Sequence, residues 1–120
     1  MNYFTEKELR CRHCGENHIE PDFLEKLNRM RHEAGFPFPV SSAYRCPTHN
    51  MNVSSTGPNG PHTTGRAIDI KVSGERAFWI ISNAARFGFT GIGVNQKGDY
   101  SGRFIHLDDL EEGRPWVWSY

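Results

Sequence analysis

Two stretches of this sequence carry side chains able to do chemistry around a metal. In His62-Thr-Thr-Gly-Arg-Ala-Ile-Asp69, a histidine at the end of a polar loop is followed seven positions later by an aspartate inside an apolar run. Imidazole and carboxylate are both zinc ligands. Glycine accepts backbone angles that residues with a Cβ resist, so Gly65 permits the chain reversal that would bring the two side chains to one point. A loop histidine beside a surface aspartate gives the same pattern, and the pair alone does not decide between the two readings. The second stretch, Phe104-Ile-His-Leu-Asp108, alternates polar and large apolar residues. In a strand His106 and Asp108 share one face with Phe104, while Ile105 and Leu107 point to the other. Polar groups buried without partners cost stability, so two of them on one strand face point to a cleft rather than to packing.

The cysteines form a third group. Cys11-Arg-His-Cys14 and Cys46-Pro-Thr-His49 together make C-x-x-C and C-x-x-H, the ligand set of a closed structural zinc site. The gap between the pairs is longer than in zinc fingers. Buried or free thiols, or a disulfide from Cys11 or Cys14 to Cys46, are the other readings of an odd number of cysteines.

The elements that must position these residues can be read from periodicity. Phe23, Leu27 and Met30, with Leu24, define a helix over Pro21 to Ala34, opened by proline and stopped at Gly35. A second helix runs from Ser73, an N-cap, through the stripe Ala77, Ile80, Ile81, Ala84 and Ala85 to Gly88. Short runs at Pro39 to Ala43, Ala67 to Val72, Gly91 to Val94, Arg103 to Leu107 and Trp116 to Ser119 have strand composition. Asn52 to Thr64 reads as a long loop, and Asn95 to Gly102 as a hairpin connection. Five strands and two principal helices in this order predict a single α+β domain over residues 1–120 with a mainly antiparallel sheet.

The composition excludes several functions. Fourteen basic and fourteen acidic residues cancel, leaving no field to attract a nucleic-acid backbone or an anionic membrane. No apolar run approaches the roughly 20 residues that span a bilayer, and the first residues lack the order of a secretory signal. The expectation is a monomer made in the cytoplasm, which reaches an external substrate only if it is released or exported.

Taken in order, the segments SSAYRCPTHN, HTTGRAIDI, GIGV, FIHLD and PWVWSY resemble the zinc D-Ala-D-Ala carboxypeptidase family. That family also contains phage L-alanyl-D-glutamate endopeptidases and shares its metal site with the hedgehog signalling domain and bacterial murein endopeptidases. The resemblance extends from about Phe4 to Tyr120. It implies the hedgehog/D-Ala-D-Ala peptidase-like fold, zinc held by His62, Asp69 and His106 with water in the fourth position, and a peptidoglycan stem peptide as substrate. It also implies that Arg45 is aimed at a substrate carboxylate or carbonyl oxygen, a task suited to its fixed fork of donors; without the motif, Arg45 reads as a surface ion pair.

The chain departs from the family at two positions. Pro61 stands where many relatives have serine, and Arg103 stands where some carry an acidic general base. Asp108 is the nearest replacement, either as the base or as a carboxylate that orients His106 or pairs with an arginine. Asp99 is a more distant candidate, and Asp109 and Glu111 are expected to face solvent. Besides a peptidase cutting as carboxypeptidase or endopeptidase, the sequence allows a zinc-containing binding module without catalysis and, on the cysteines alone, a zinc-ribbon interaction protein.

Overall fold

The computed structural model describes residues 2–120. The first element, α1 (Glu6–Leu9), is closed by a capping box in which the Thr5 hydroxyl accepts from Glu8 N and the Glu8 carboxylate accepts from Thr5 N. At four residues it is too short to have a visible hydrophobic period. Helix α2 (Pro21–Ala34) has the expected bounds: proline opens it, Gly35 in the left-handed conformation ends it, and Phe23, Leu27 and Met30 are fully buried.

After β1 (Val40–Ser42) comes α3 (Pro47–Val53), which takes up the start of the stretch expected to be a loop. Its cap is the Cys46 sulfur, which accepts from His49 N, and proline sits in the first turn. The rest of that stretch folds into two 3-10 turns at Gly57–Asn59 and Pro61–Thr64. Strand β2 (Ala67–Ile70) leads to α4 (Gly74–Asn83), which tightens into a 3-10 turn over Ala84–Phe87. Ser73 occupies the N-cap position without a side-chain bond. Ala77, Ile80 and Ala84 are buried, but Ala85 faces solvent, so the apolar stripe is narrower than predicted. Strands β3 (Gly91–Asn95), β4 (Phe104–Asp108) and β5 (Trp116–Ser119) complete the chain.

The strands form one sheet in the order β1-β2-β4-β3-β5, antiparallel except where β5 runs parallel to β3. The α+β architecture is the predicted one. Ile68 and Ile70 of β2 and Ile105 and Leu107 of β4 are fully buried in the core that contains Phe23, Leu27 and Met30 of α2 and Ala77 and Ile80 of α4. Replacing one of these isoleucines or leucines by alanine would cost about 2–5 kcal/mol. A one-residue slip between β2 and β4 would move these side chains out of the core, so their burial fixes the register of the opposite face as well. Among the described residues no helix is long and apolar enough to cross a membrane.

Candidate metal centre

Register makes the site. Ser42 pairs with Asp69, Asp69 with His106, His106 with Gly93, and Gly93 with Trp118, so one row of side chains crosses all five strands on the face away from the core. β4 is the central strand, and its alternation sends His106 and Asp108 to that face, as its pattern predicts. His62 reaches the same point from the 3-10 turn after Gly60. The turn is closed by Gly65 at φ 76°, and a Cβ there would lie 1.9 Å from the carbonyl oxygen of His18. No other residue fits this reversal.

His62, Asp69 and His106 are all buried, with one ligand atom of each within 4.8 Å of the others. The ring protons are fixed from outside the cluster. His62 Nδ1 donates to the Ala43 carbonyl at 2.7 Å, leaving Nε2 as a lone pair 3.2 Å from Asp69 Oδ1. His106 Nε2 lies 2.8 Å from Asp108 Oδ2, and its Nδ1 lies 3.1 Å from the same Asp69 oxygen. With both rings neutral, two nitrogen lone pairs and a carboxylate converge among buried side chains, an arrangement that repels itself unless a cation sits among them. A proton on His106 answers part of the same need. Burial alone would raise the Asp69 carboxyl, yet His62 and His106 hold it below the usual carboxylate range. Burial would depress His106, yet Asp108 and Asp69 raise it. Two imidazoles and one carboxylate are a donor set that fits zinc and leaves a position open.

Asp108 is fully buried and committed elsewhere. Arg114 Nε donates to its Oδ1 at 2.9 Å and Nη2 to its Oδ2 at 2.8 Å, while Leu110 N approaches Oδ1 at 3.4 Å. Burial would push this carboxyl up, but Arg114 and His106 bring it down to about 2. The Arg114 guanidinium also lies 5.2 Å from the Trp118 ring centre, and that ring packs 4.9 Å from His106.

Arg45 stands beside the cluster. Its Nε donates to Ser42 Oγ at 2.9 Å, Nη1 to Asn50 Oδ1 at 3.1 Å, and Nη2 lies 3.6 Å from Asp69 Oδ2. Asn50 is itself buried, with its amide donating to Thr56 Oγ1 at 2.9 Å and to the Gly57 carbonyl. Arg45 and the His62, Asp69 and His106 cluster line a cleft of about 860 Å³ bordered also by Lys71, Arg103, Trp118 and Tyr120. Among the described residues Asp69 is the one acid on its wall; Asp108 and Asp99 are not part of it. Asp99 instead caps the 3-10 turn at Tyr100–Gly102, accepting from Ser101 N at 2.9 Å.

Asp109 corrects an expectation. Glu111 is exposed as predicted, but the Asp109 carboxylate is buried, accepting from Lys26 Nζ at 2.8 Å and from Arg66 Nε and Nη2, each at 2.8 Å. It joins α2 to the start of β2. Sequence reasoning also missed Arg114 and Asn50. The cysteines are free, and the sulfurs of Cys11, Cys14 and Cys46 lie within 4.8 Å of one another, a group that does not include His49.

No curated protein matches the chain. A family profile described as Peptidase M15 matches residues 2–108, a span that takes in every residue of the His62, Asp69 and His106 cluster, and the chain belongs to that peptidase family.

Proposed function

We propose that this peptidase is zinc-dependent and hydrolyses stem peptides of peptidoglycan, with His62, Asp69 and His106 as the metal ligands. The observation that carries the reading is the convergence of two pre-oriented imidazole lone pairs on one buried carboxylate at the floor of an open cleft. When bound there, zinc supplies Lewis acidity, polarising a carbonyl oxygen and acidifying water.

The remaining chemistry belongs to the chain. Ala43 O and Asp108 hold the outward protons of His62 and His106, which fixes each ring's tautomer and angle. Arg45, held between Ser42 and Asn50, presents a fixed cation to a substrate carboxylate or carbonyl oxygen. Lys71 and Arg103 extend the positive wall toward the acidic groups of a stem peptide. Asp108 acts in this reading as the carboxylate that orients His106, not as the general base, because both its oxygens are occupied and it does not border the cleft.

One observation favours a second reading. The cleft wall offers no acid besides Asp69, as a zinc-containing binding module without catalysis would have it. Incubating zinc-loaded protein with purified peptidoglycan and weighing the released muropeptides separates the two. Chelator-sensitive release supports the peptidase, and the masses identify the bond cut and hence carboxypeptidase or endopeptidase action. Intact stem peptides with undiminished binding to the wall would leave the binding module.

A further inference from the structure

A second group of metal-ligating side chains lies one residue from Arg45. Cys11 is buried, Cys46 half-buried and Cys14 exposed, and their sulfurs are mutually within 4.8 Å. The backbone around them is arranged for sulfur anions. Cys46 N donates to Cys11 Sγ at 3.3 Å. His49 N donates to Cys46 Sγ at 3.4 Å. The loop is closed by Gly15 N donating to Cys11 O at 2.9 Å and by Cys11 N donating to Glu16 O at 2.7 Å.

A neutral thiol is a weak acceptor, and two sulfurs of the group that each accept a backbone N–H are better matched by thiolates. Three thiolates this close repel one another unless a cation lies between them, and a soft, thiolate-binding ion answers that need. Two imidazoles stand next to the group: His13 and His49 stack with ring centres 5.8 Å apart and planes 1° from parallel, and His13 Nδ1 is 3.5 Å from Cys46 Sγ.

We propose that Cys11, Cys14 and Cys46 hold a structural zinc ion of their own, with one imidazole of the His13–His49 pair as fourth ligand, and that this ion anchors the loop carrying Arg45. The anchoring follows from connectivity. Cys46 caps α3, Tyr44 N donates to Leu9 O at 3.1 Å, and Arg45 N donates to His62 O at 3.1 Å. A metal joining Cys11 and Cys14 to Cys46 would therefore clamp the α1 end of the chain to the segment that sets Arg45 against the cleft. The site shares no ligand with the His62 cluster, so metal content at the two can be read separately.

The test is metal content and cobalt spectroscopy on the full chain. Protein purified under reducing conditions should carry a zinc ion that persists in His62→Ala and His106→Ala and disappears in Cys14→Ser. Replacing it with Co(II) should give the intense near-ultraviolet thiolate-to-cobalt band in wild type and in His62→Ala, and none in Cys14→Ser. Because Cys14 is exposed, its serine variant should fold, and protection of the remaining thiols from alkylation by added zinc provides a second readout. Of His13→Ala and His49→Ala, the one that loses zinc during dialysis identifies the fourth ligand; retention in both overturns the imidazole assignment. Absence of the cobalt band in wild type, with all three thiols alkylated equally with and without zinc, overturns the site. Recovery of the chain as a metal-free disulfide does so too.

Discussion

Arg114 closes on Asp108 with two parallel hydrogen bonds, 2.9 Å to one carboxylate oxygen and 2.8 Å to the other, and the second oxygen also faces the outward nitrogen of His106. The arginine thus keeps Asp108 ionised, and Asp108 keeps the His106 proton on the side away from Asp69. The chain from Arg114 to His106 sets the direction of the lone pair that His106 would offer to a metal in the proposed site.

This order predicts the behaviour of Asp108→Asn. An amide can still accept from His106, but it carries no charge and presents one donor group to Arg114. Zinc affinity should fall about tenfold to a hundredfold, and excess zinc should restore most hydrolysis. A general base would instead cost about a hundredfold to ten-thousandfold in rate with zinc fully bound. Titrating activity against free zinc distinguishes the two; a loss that no zinc concentration repairs would return Asp108 to the role of base.

Gly91 is predicted to be intolerant of any side chain. A Cβ there would lie 2.2 Å from Asp108 Oδ1 and 2.5 Å from Arg114 Nε, atoms pinned to each other and unable to move apart cheaply. Gly91→Ala should destabilise the fold by roughly 3 kcal/mol, as overpacking at a rigid site does. Gly102→Ala, where nothing lies within 4 Å of the added Cβ, should change stability by less than about 0.5 kcal/mol. Chemical denaturation of both variants checks the contrast, and equal stability of the two would show that the Asp108–Arg114 pair can shift.

How far the sequence discloses this site depends on whether a residue's role is local. The faces of His106 and Asp108 were legible because strand alternation has a period of two, and α2 was legible because three core positions repeat along one face. The pairing of Asp69 with His106 is a register between segments 37 residues apart, which no local pattern encodes. Asp109 was misread for the same reason: its partners Lys26 and Arg66 lie 83 and 43 positions away, on elements that meet only in the fold. Arg114 is near in sequence, but its reach to Asp108 depends on the turn between β4 and β5. Helix α3 escaped notice because seven residues following a cysteine and a proline resemble a loop until Cys46 is seen to cap it.

The exposed end of the Asp109 network gives a pH dependence. Hydrogen bonds from Arg66 hold the Asp22 carboxyl at about 2, against 3.8 ordinarily. A carboxyl lowered in the folded state adds stability that is fully present above its ordinary value and is lost as pH falls through the folded one. Between about pH 4 and pH 2, wild type should therefore lose stability more steeply than Asp22→Asn, which has no such group to protonate. Melting temperatures of the two measured across that range, converging toward the acid end, are the expected result; parallel curves would mean that Arg66 does not hold Asp22 in solution.

Arg45 carries the most direct prediction about catalysis. Its three nitrogens are already divided among Ser42, Asn50 and Asp69, so the guanidinium is held in one orientation before any substrate arrives. Lysine at this position keeps the charge but has neither the fork nor the reach to satisfy Ser42 and Asn50 together. Losing one or two hydrogen bonds of ordinary strength costs about 1–2 kcal/mol, or a melting shift of roughly 5–10 °C in a domain of this size. Turnover should suffer more, by about a hundredfold, because a substrate oxygen displaced by about an ångström no longer sits where it must react. The measurement is a paired one on Arg45→Lys: melting temperature, and hydrolysis of peptidoglycan with zinc content verified unchanged. A variant that melts only slightly lower and turns over poorly supports positioning of the substrate. One that loses turnover only in proportion to the unfolded fraction would make Arg45 a structural bridge between α3 and the sheet, and the substrate's anchor would then have to be sought in Lys71 or Arg103 on the same cleft wall.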